Sequence, residues 1–255
     1  MQKKIKLDVI GLSKNYEENI PVVRGVSFQV WDGEFLSILG SSGCGKTTLL
    51  RMLIGVLAST EGKILLDGCD ITNAHPSARK MGIVFQNYAL FENMTVFMNV
   101  AYAMKIHGVK DYKDRTMDIL QRMGLEELKD KKPAELSGGQ QQRVAIARTM
   151  VLQPDIILFD EPLSALDVST RLMMRREIKE LQKAFGVTMI YVTHDQEEAF
   201  AMSDRIMVMR NGMIEQLDTP DMLIAEPATD YVRSFVSDNL QMKIDALIRY
   251  RRNCP

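Results

Sequence analysis

An α/β fold built on a largely parallel sheet is what this sequence predicts, on three observations. A short apolar run, Phe35 to Leu39 (FLSIL), is ended by Gly40 and followed from Thr47 by a helical stretch, TTLLRMLIGVL. Between them lies GSSGCGKT, Gly40 to Thr47, which fits the phosphate-loop template G-x-x-x-x-G-K-[ST]. A second apolar run, Ile156 to Phe159 (IILF), ends in two adjacent carboxylates, Asp160 and Glu161. In an open α/β sheet, ligands gather outside the carboxyl ends of the strands, so both strings should face one site.

The 255 residues suit one large domain, or a core with a small subdomain. Residues 1 to 34 and 61 to 72 read as short β segments with turns, among them Glu61 to Leu66 ended by Asp67-Gly68, and predict an antiparallel β subdomain. After Gln86 the pattern changes to helices over Thr95–Ile106, Tyr112–Met123 and Ser137–Leu152, broken at Gly108, Gly124 and Pro133; this predicts an inserted helical subdomain. From Ile156 strand and helix alternate again, with Leu172–Phe185 helical, Thr188–Thr193 a strand and a hairpin across Asn211-Gly212. The predicted organisation is one domain over 1–236, made of 1–86 and 155–236 (core plus β subdomain) and 87–154 (helical subdomain), with a helical tail over 237–255.

The chemistry follows from the residue types. A triphosphate is a dense anion that must be held by donors without side-chain clash. With Cβ absent at Gly40, Gly43 and Gly45, the backbone N–H groups of Gly40, Ser41, Ser42, Gly43, Cys44, Gly45, Lys46, Thr47 and Thr48 can form an anion nest at the positive end of a helix. Lys46 adds a point charge, and Thr47 offers a hydroxyl to Mg²⁺, a hard cation that shares its coordination with substrate phosphates. Successive residues at a strand end point in different directions, so Asp160 can serve the Mg²⁺ shell while Glu161 deprotonates an attacking water.

A second glycine-rich string, LSGGQ at Leu136–Gln140, opens the helix that ends before Pro154. Ser137 is a good N-cap, and Ser137, Gly138 and Gly139 form a second anion-binding helix start. With this string the chain resembles the ATP-binding cassette family of ABC transporter subunits, from about Ile5 to about Val236. The resemblance implies a P-loop NTPase (RecA-like) core that binds and hydrolyses ATP with Mg²⁺. It also implies a head-to-tail dimer, in which Ser137, Gly138, Gly139 and Gln140 of one copy cover the γ-phosphate held by the other. By the same resemblance Gln86 is the glutamine near Mg²⁺ and the attacking water, Ser164 to Asp167 (SALD) form the loop that places Asp167 at the shared site, His194 contacts the γ-phosphate, and Tyr16 stacks on adenine. Tyr88, Phe91, Glu92 and Met94, in the Met- and aromatic-rich segment after Gln86, correspond to a groove that receives a helix of the membrane subunit.

The segments Tyr191–Ile206 and Asp160–Asp167 look like those of bacterial importers of the polyamine, iron, sulfate, phosphonate and sugar group. That likeness implies solute import through integral-membrane permease subunits, fed by an extracytoplasmic solute-binding protein, with this chain at the cytoplasmic face of the membrane. An exporter ATPase is the alternative, and a non-transport ABC ATPase a lesser one, since no coiled-coil insertion or second cassette is present. Many members of the importer group carry a further C-terminal β domain, for which a sequence ending at Pro255 has no room; the resemblance to the sugar type is weaker on that account, whether the domain is naturally absent or removed.

Bulk properties serve mainly to exclude. A net charge of −1, with Lys and Arg spread along the chain, gives no electrostatic footprint for nucleic acid beyond Arg249-Tyr250-Arg251-Arg252. Cys44, Cys69 and Cys254 have no zinc spacing and form no disulfide framework, as expected of free thiols in a reducing compartment; alkylation of Cys44, inside the phosphate loop, should block ATP by bulk. The N-terminus has no apolar segment of signal-peptide length, and no run approaches the roughly 18 apolar residues of a membrane span.

Overall fold

Period-two alternation along the central strands sorts the side chains into two cores. In β7 (Ile156–Asp160), Ile157 and Phe159 enter one cluster while Ile156 and Leu158 enter the other; in β8 (Thr188–Thr193), Met189 and Tyr191 oppose Ile190 and Val192 in the same way. Every residue of β8 is buried, as a parallel strand covered on both faces requires. These strands belong to a computed structural model that describes residues 4–16, 20–164, 166–242 and 244–245.

Within it, β3 (Phe35–Gly40), β6 (Met81–Val84), β7, β8, β9 (Arg205–Arg210) and β10 (Met213–Asp218) form a sheet in the order β10-β9-β3-β8-β7-β6. All neighbours are parallel except the β9–β10 hairpin. A second, antiparallel sheet has the order β2-β1-β4-β5, from β1 (Ile5–Asn15), β2 (Pro21–Trp31), β4 (Glu61–Leu66) and β5 (Cys69–Asp70). The first two strands are 11 residues each, longer than the short segments predicted. Register shifts between Val9 and Leu12 break their alternation, so one bent strand reads as shorter pieces.

Helix α1 (Lys46–Ile54) lies between the two sheets, with Leu49, Leu50 and Leu53 fully buried. The predicted helix ran on through Leu57, but the chain leaves it at Gly55, which has φ 86°. The reason is Arg79, whose guanidinium donates to the α1 carbonyls of Met52 at 2.7 Å and Leu53 at 2.8 Å, and to Thr72 and Ala74 at 2.7 and 3.0 Å. A Cβ at Gly55 would lie 2.4 Å from Arg79 Nε.

The other face of the sheet is covered by α2 (Val96–Ile106), α3 (Tyr112–Arg122), α4 (Gly138–Met150) and α5 (Val168–Phe185), around Val100, Met104, Leu120, Val144, Ile146 and Ile178. Helix α5 starts four residues before the predicted Leu172, because Asp167 caps it and its first turn carries exposed Val168 in place of an apolar face. Helix α6 (Gln196–Met202) follows β8, α7 (Pro220–Ala225) follows β10, and a further helical segment runs from Asp230 through 242. Of the predicted tail, 237–242 and 244–245 are helical. Arg249 to Arg252 and Cys254 lie outside the described residues, as does Ala165 of the SALD string. Among the described residues no helix is long and apolar enough to cross a membrane.

Candidate nucleotide site

Parallel register brings the functional strings to one edge. Leu39 pairs with Thr193 across β3 and β8, Asp160 with Val192 across β7 and β8, and Val84 with Phe159 across β6 and β7. Gly40, Glu161 and His194 therefore leave adjacent strands side by side, and Gln86 leaves β6 two residues beyond Val84.

The phosphate loop is shaped by its glycines. A Cβ on Gly40 would lie 2.5 Å from the Met209 carbonyl oxygen and 2.7 Å from Cys44 Sγ, so the loop start has no room for a side chain. Gly43 and Gly45 hold φ of 79° and 105°, conformations that L side chains rarely adopt. Ser41, Ser42 and Gly43 are exposed on the rim, while Lys46 is buried. Its ammonium donates to the carbonyls of Gly40 at 2.8 Å and Ser41 at 3.0 Å. The cation thus rests on the loop's own oxygens, from which a more negative phosphate would draw it. Beside the loop, the half-exposed Tyr16 places its hydroxyl 3.5 Å from Thr48 Oγ1, at the first turn of α1.

Thr47 and Asp160 meet directly, the Thr47 hydroxyl donating to Asp160 Oδ1 at 3.2 Å. Burial pushes the Asp160 carboxyl above the usual range, against the hydrogen bond from Thr47, with the neighbouring charge of Glu161 adding to the rise. Among the described residues there is no cluster of three or more His, Cys, Asp or Glu that could cage a metal. One hydroxyl and one carboxylate suit a small hard cation that takes its remaining ligands from phosphate and water, so this donor set fits Mg²⁺.

Glu161 turns away from Asp160 because its backbone leaves the strand with φ 48°, a left-handed conformation costly for a residue with a side chain. Its N–H donates to the Val192 carbonyl at 3.0 Å and its carbonyl accepts the Ser164 hydroxyl at 2.9 Å, which hold that conformation in place. The result is a 2.9 Å contact between Glu161 Oε2 and His194 Nδ1, residues 33 apart in sequence. The His194 side chain is 54% exposed and that of Glu161 23%, so the pair opens to solvent at the sheet edge.

The second glycine string does not join this cluster within the chain. Ser137 and Gln140 cap each other, Gln140 N–H to Ser137 Oγ at 3.4 Å and Ser137 N–H to Gln140 Oε1 at 3.0 Å. Gly139 packs against Thr170 and Met174 of α5, and a Cβ on Gly138 would lie 2.9 Å from Cδ2 of Leu166, two residues before that helix. Among the described residues, no hydrogen bond links the string to the phosphate loop.

The remaining candidates have surroundings of their own. Gln86 is exposed and makes no hydrogen bond among the described residues. Asp167 is engaged as the α5 cap by the Thr170 N–H at 3.0 Å and the Ser169 and Thr170 hydroxyls, which hold its carboxyl well below the usual range. Tyr88, expected at a partner surface, is buried among core side chains, whereas Phe91 and Glu92 are exposed and Met94 half-buried. Cys44 points beneath the loop into the core, its thiol pushed up by burial. Iodoacetamide at neutral pH is accordingly expected to label exposed Cys69 and spare Cys44 in the folded protein, as peptide mass spectrometry would read; equal labelling rates would refute the buried thiol.

Sequence reasoning missed the support beneath His194. Glu198, buried in the first turn of α6, accepts hydroxyl hydrogen bonds from Tyr191 and Thr193, each at 2.8 Å. An acid four residues after a strand-end His reads as an exposed helix start, and nothing local marks it as buried. A groove of about 730 Å³ between the sheet edge and the helices was also illegible as a shape; Phe91, Tyr102, His107, Arg148 and Leu152 line it. Phe91 and Tyr102 meet with ring centroids 4.7 Å apart and planes tilted by 51°.

Residues 23–164 match the family model described as ABC transporter. A spermidine/putrescine import ATP-binding protein, PotA, of Bacillus cereus is 47% identical over 241 residues, 94% of this chain and 73% of that protein. Its counterparts from Oleidesulfovibrio alaskensis and Mannheimia succiniciproducens are 48% and 46% identical, over 95% and 93% of this chain and 65% and 64% of theirs. The chain thus spans about two thirds of the length of these relatives. Among solved structures, cbiO1 from Clostridium perfringens, part of the ABC transporter complex cbiONQ, matches with a TM-score of 0.81 and 30% identity over 95% of this chain and all of that one.

Proposed function

The chain belongs to the ABC transporter family, and on that premise we propose that it is the ATP-hydrolysing subunit of a solute importer. The observation that carries the chemistry is the Glu161–His194 contact at the strand ends, beside the Thr47–Asp160 pair and the Lys46 loop. Phosphoryl transfer is mainly positioning and charge stabilisation, so these groups have separable tasks. The loop N–H groups and Lys46 hold the β- and γ-phosphates. Thr47 and Asp160 would hold Mg²⁺, which when bound would neutralise phosphate charge. Glu161 accepts a proton from water as its oxygen bonds to the γ-phosphorus and the bond to the ADP oxygen breaks. His194, fixed on Glu161 through Nδ1, presents the rest of its ring to the γ-phosphate.

Two copies complete the site. Ser137 is exposed at the start of α4, and among the described residues no hydrogen bond joins Ser137, Gly138 or Gly139 to the chain's own phosphate loop, which supports a head-to-tail dimer in which these residues of each copy close on the other's ATP. ATP then favours the closed pair through contacts that hydrolysis removes. The groove lined by Phe91, Tyr102 and Leu152, with Met98 and Ile106 exposed nearby, supports docking of an integral-membrane permease subunit, which would place the chain at the cytoplasmic face of the membrane. The relatives' names make a polyamine the first cargo to test, delivered by an extracytoplasmic solute-binding protein.

The test is co-expression with a neighbouring permease pair and reconstitution in liposomes. Spermidine or putrescine, with its binding protein, should stimulate Mg²⁺-dependent ATP hydrolysis and accumulate on the side away from the binding protein. ATP hydrolysis that drives movement in the opposite direction would establish an exporter instead.

A further inference from the structure

We propose that Glu198 is a positioning residue for the ATPase reaction, holding His194 against Glu161 by fixing the peptide units on either side of the histidine. The proposal rests on the ATPase reading above and concerns a residue outside the loops that meet the nucleotide.

The geometry runs outward from a buried carboxylate. Glu198 is 3% exposed, Tyr191 and Thr193 no more so, and a single oxygen, Glu198 Oε2, accepts from both Tyr191 Oη and Thr193 Oγ1 at 2.8 Å. A carboxylate taken out of water is costly, and a well-packed apolar side chain would fill the same volume with less penalty. What the carboxylate supplies is direction. By accepting the hydrogen bond from the Thr193 hydroxyl it leaves a Thr193 Oγ1 lone pair to accept the Asp195 N–H at 3.0 Å. The residues immediately before and after His194 are thereby tied to one another through an oxygen whose orientation Glu198 sets.

A second set of contacts locks the far side. Asp195 caps α6, accepting the N–H groups of Glu197 at 2.8 Å and Glu198 at 3.3 Å. Its other oxygen lies 3.5 Å from Arg171 and 3.6 Å from Arg175, both on α5, and Arg175 also reaches Glu197 at 3.7 Å. With both flanks anchored, the imidazole retains only its side-chain torsions, and these deliver Nδ1 to Glu161 at 2.9 Å. Remove the Glu198 acceptor and the Thr193 hydroxyl is free to turn toward another partner, releasing Asp195 N–H and the backbone that aims His194.

The experiment compares Glu198→Ala, Glu198→Gln and Thr193→Val with the wild type, reading ATPase kcat, KM for ATP and the His194 ring resonances. The chain has three histidines, so those resonances can be assigned with a His194→Ala reference. Glu198→Ala is expected to lose about tenfold to hundredfold in kcat, with KM within about twofold, as displacement of a catalytic group without loss of substrate contacts would produce. Its His194 resonances should move while those of His75 and His107 stay. Glu198→Gln keeps an oxygen that can accept from both hydroxyls and should restore kcat to within about threefold of wild type. Wild-type kcat in Glu198→Ala, or a folded Glu198→Gln as impaired as Glu198→Ala, would overturn the proposal. If Glu198→Ala does not fold, Glu198→Gln and Thr193→Val, which removes the hydroxyl that joins Glu198 to the Asp195 N–H, still decide: unmoved His194 resonances in Glu198→Gln and moved ones in Thr193→Val support it, and unmoved resonances in both overturn it. Absence of hydrolysis by the wild type would defeat the ATPase reading separately, leaving the His194 resonances to report on positioning.

Discussion

Glu161→Gln is expected to bind ATP, to form a stable ATP-dependent dimer and to lose about 10²- to 10⁴-fold in turnover, the range of a removed general base. The substitution keeps shape and hydrogen-bonding capacity, so the strained turn at Glu161, held by its own backbone bonds to Val192 and Ser164, should persist. The amide oxygen can still accept from His194 Nδ1, so the histidine keeps its place. What disappears is the ability to take a proton from water. ATP should therefore stay intact between two closed copies, and size-exclusion chromatography with ATP and Mg²⁺ should show a dimer that ADP does not support. Wild-type turnover in this variant would remove Glu161 from the base role, and a monomer in the presence of ATP would count against the shared site.

The second large effect concerns stability. Arg79→Met removes a guanidinium that serves four carbonyl oxygens at once, two of them, Met52 and Leu53, buried at the end of α1. Among the described residues no carboxylate pairs with it; burial lowers its tendency to hold its proton, and the negative end of the α1 dipole offsets that cost. Leaving a buried carbonyl without a donor costs about 1–3 kcal/mol each, so the two buried ones alone set a loss near 4 kcal/mol. For a chain of this size that corresponds to a fall in Tm of roughly 10 °C. Arg79→Lys should recover only part of it, because one ammonium cannot span the fork's positions. Lys46 lies at the opposite end of α1, so ATP affinity at low temperature should be retained in Arg79→Met. A Tm within about 2 °C of wild type would show that water satisfies those carbonyls.

Both effects depend on contacts of different range, and the range explains what could be read in advance. The phosphate loop, Thr47, the Asp160-Glu161 doublet and the Ser137 cap are local, set by residues within a few positions of one another, and each stands where its string places it. The helix through Leu57 was misjudged because the signal that ends it, Arg79, lies 24 positions beyond Gly55, a glycine that a helical pattern tolerates. Tyr88 was misjudged because a Met- and aromatic-rich stretch has the same composition whether it faces a partner or a core. Cys44 sits in a ligand-binding string, and only the packing of Gly40 and Met209 around it shows that its thiol points inward.

By itself, then, the sequence determined the α/β class, the glycine-rich loop between strand and helix, the acidic strand end and, by resemblance, the family, because each is encoded in short-range spacing of glycines, carboxylates and apolar residues. Only the tertiary structure decided which groups touch. The order β3-β8-β7 sets Thr193 beside Leu39 and Val192 beside Asp160, and that adjacency joins Glu161 to His194 and hides Glu198 beneath them. Strand order arises from burying both faces of a sheet at once, a property of the whole chain that no single stretch of residues carries.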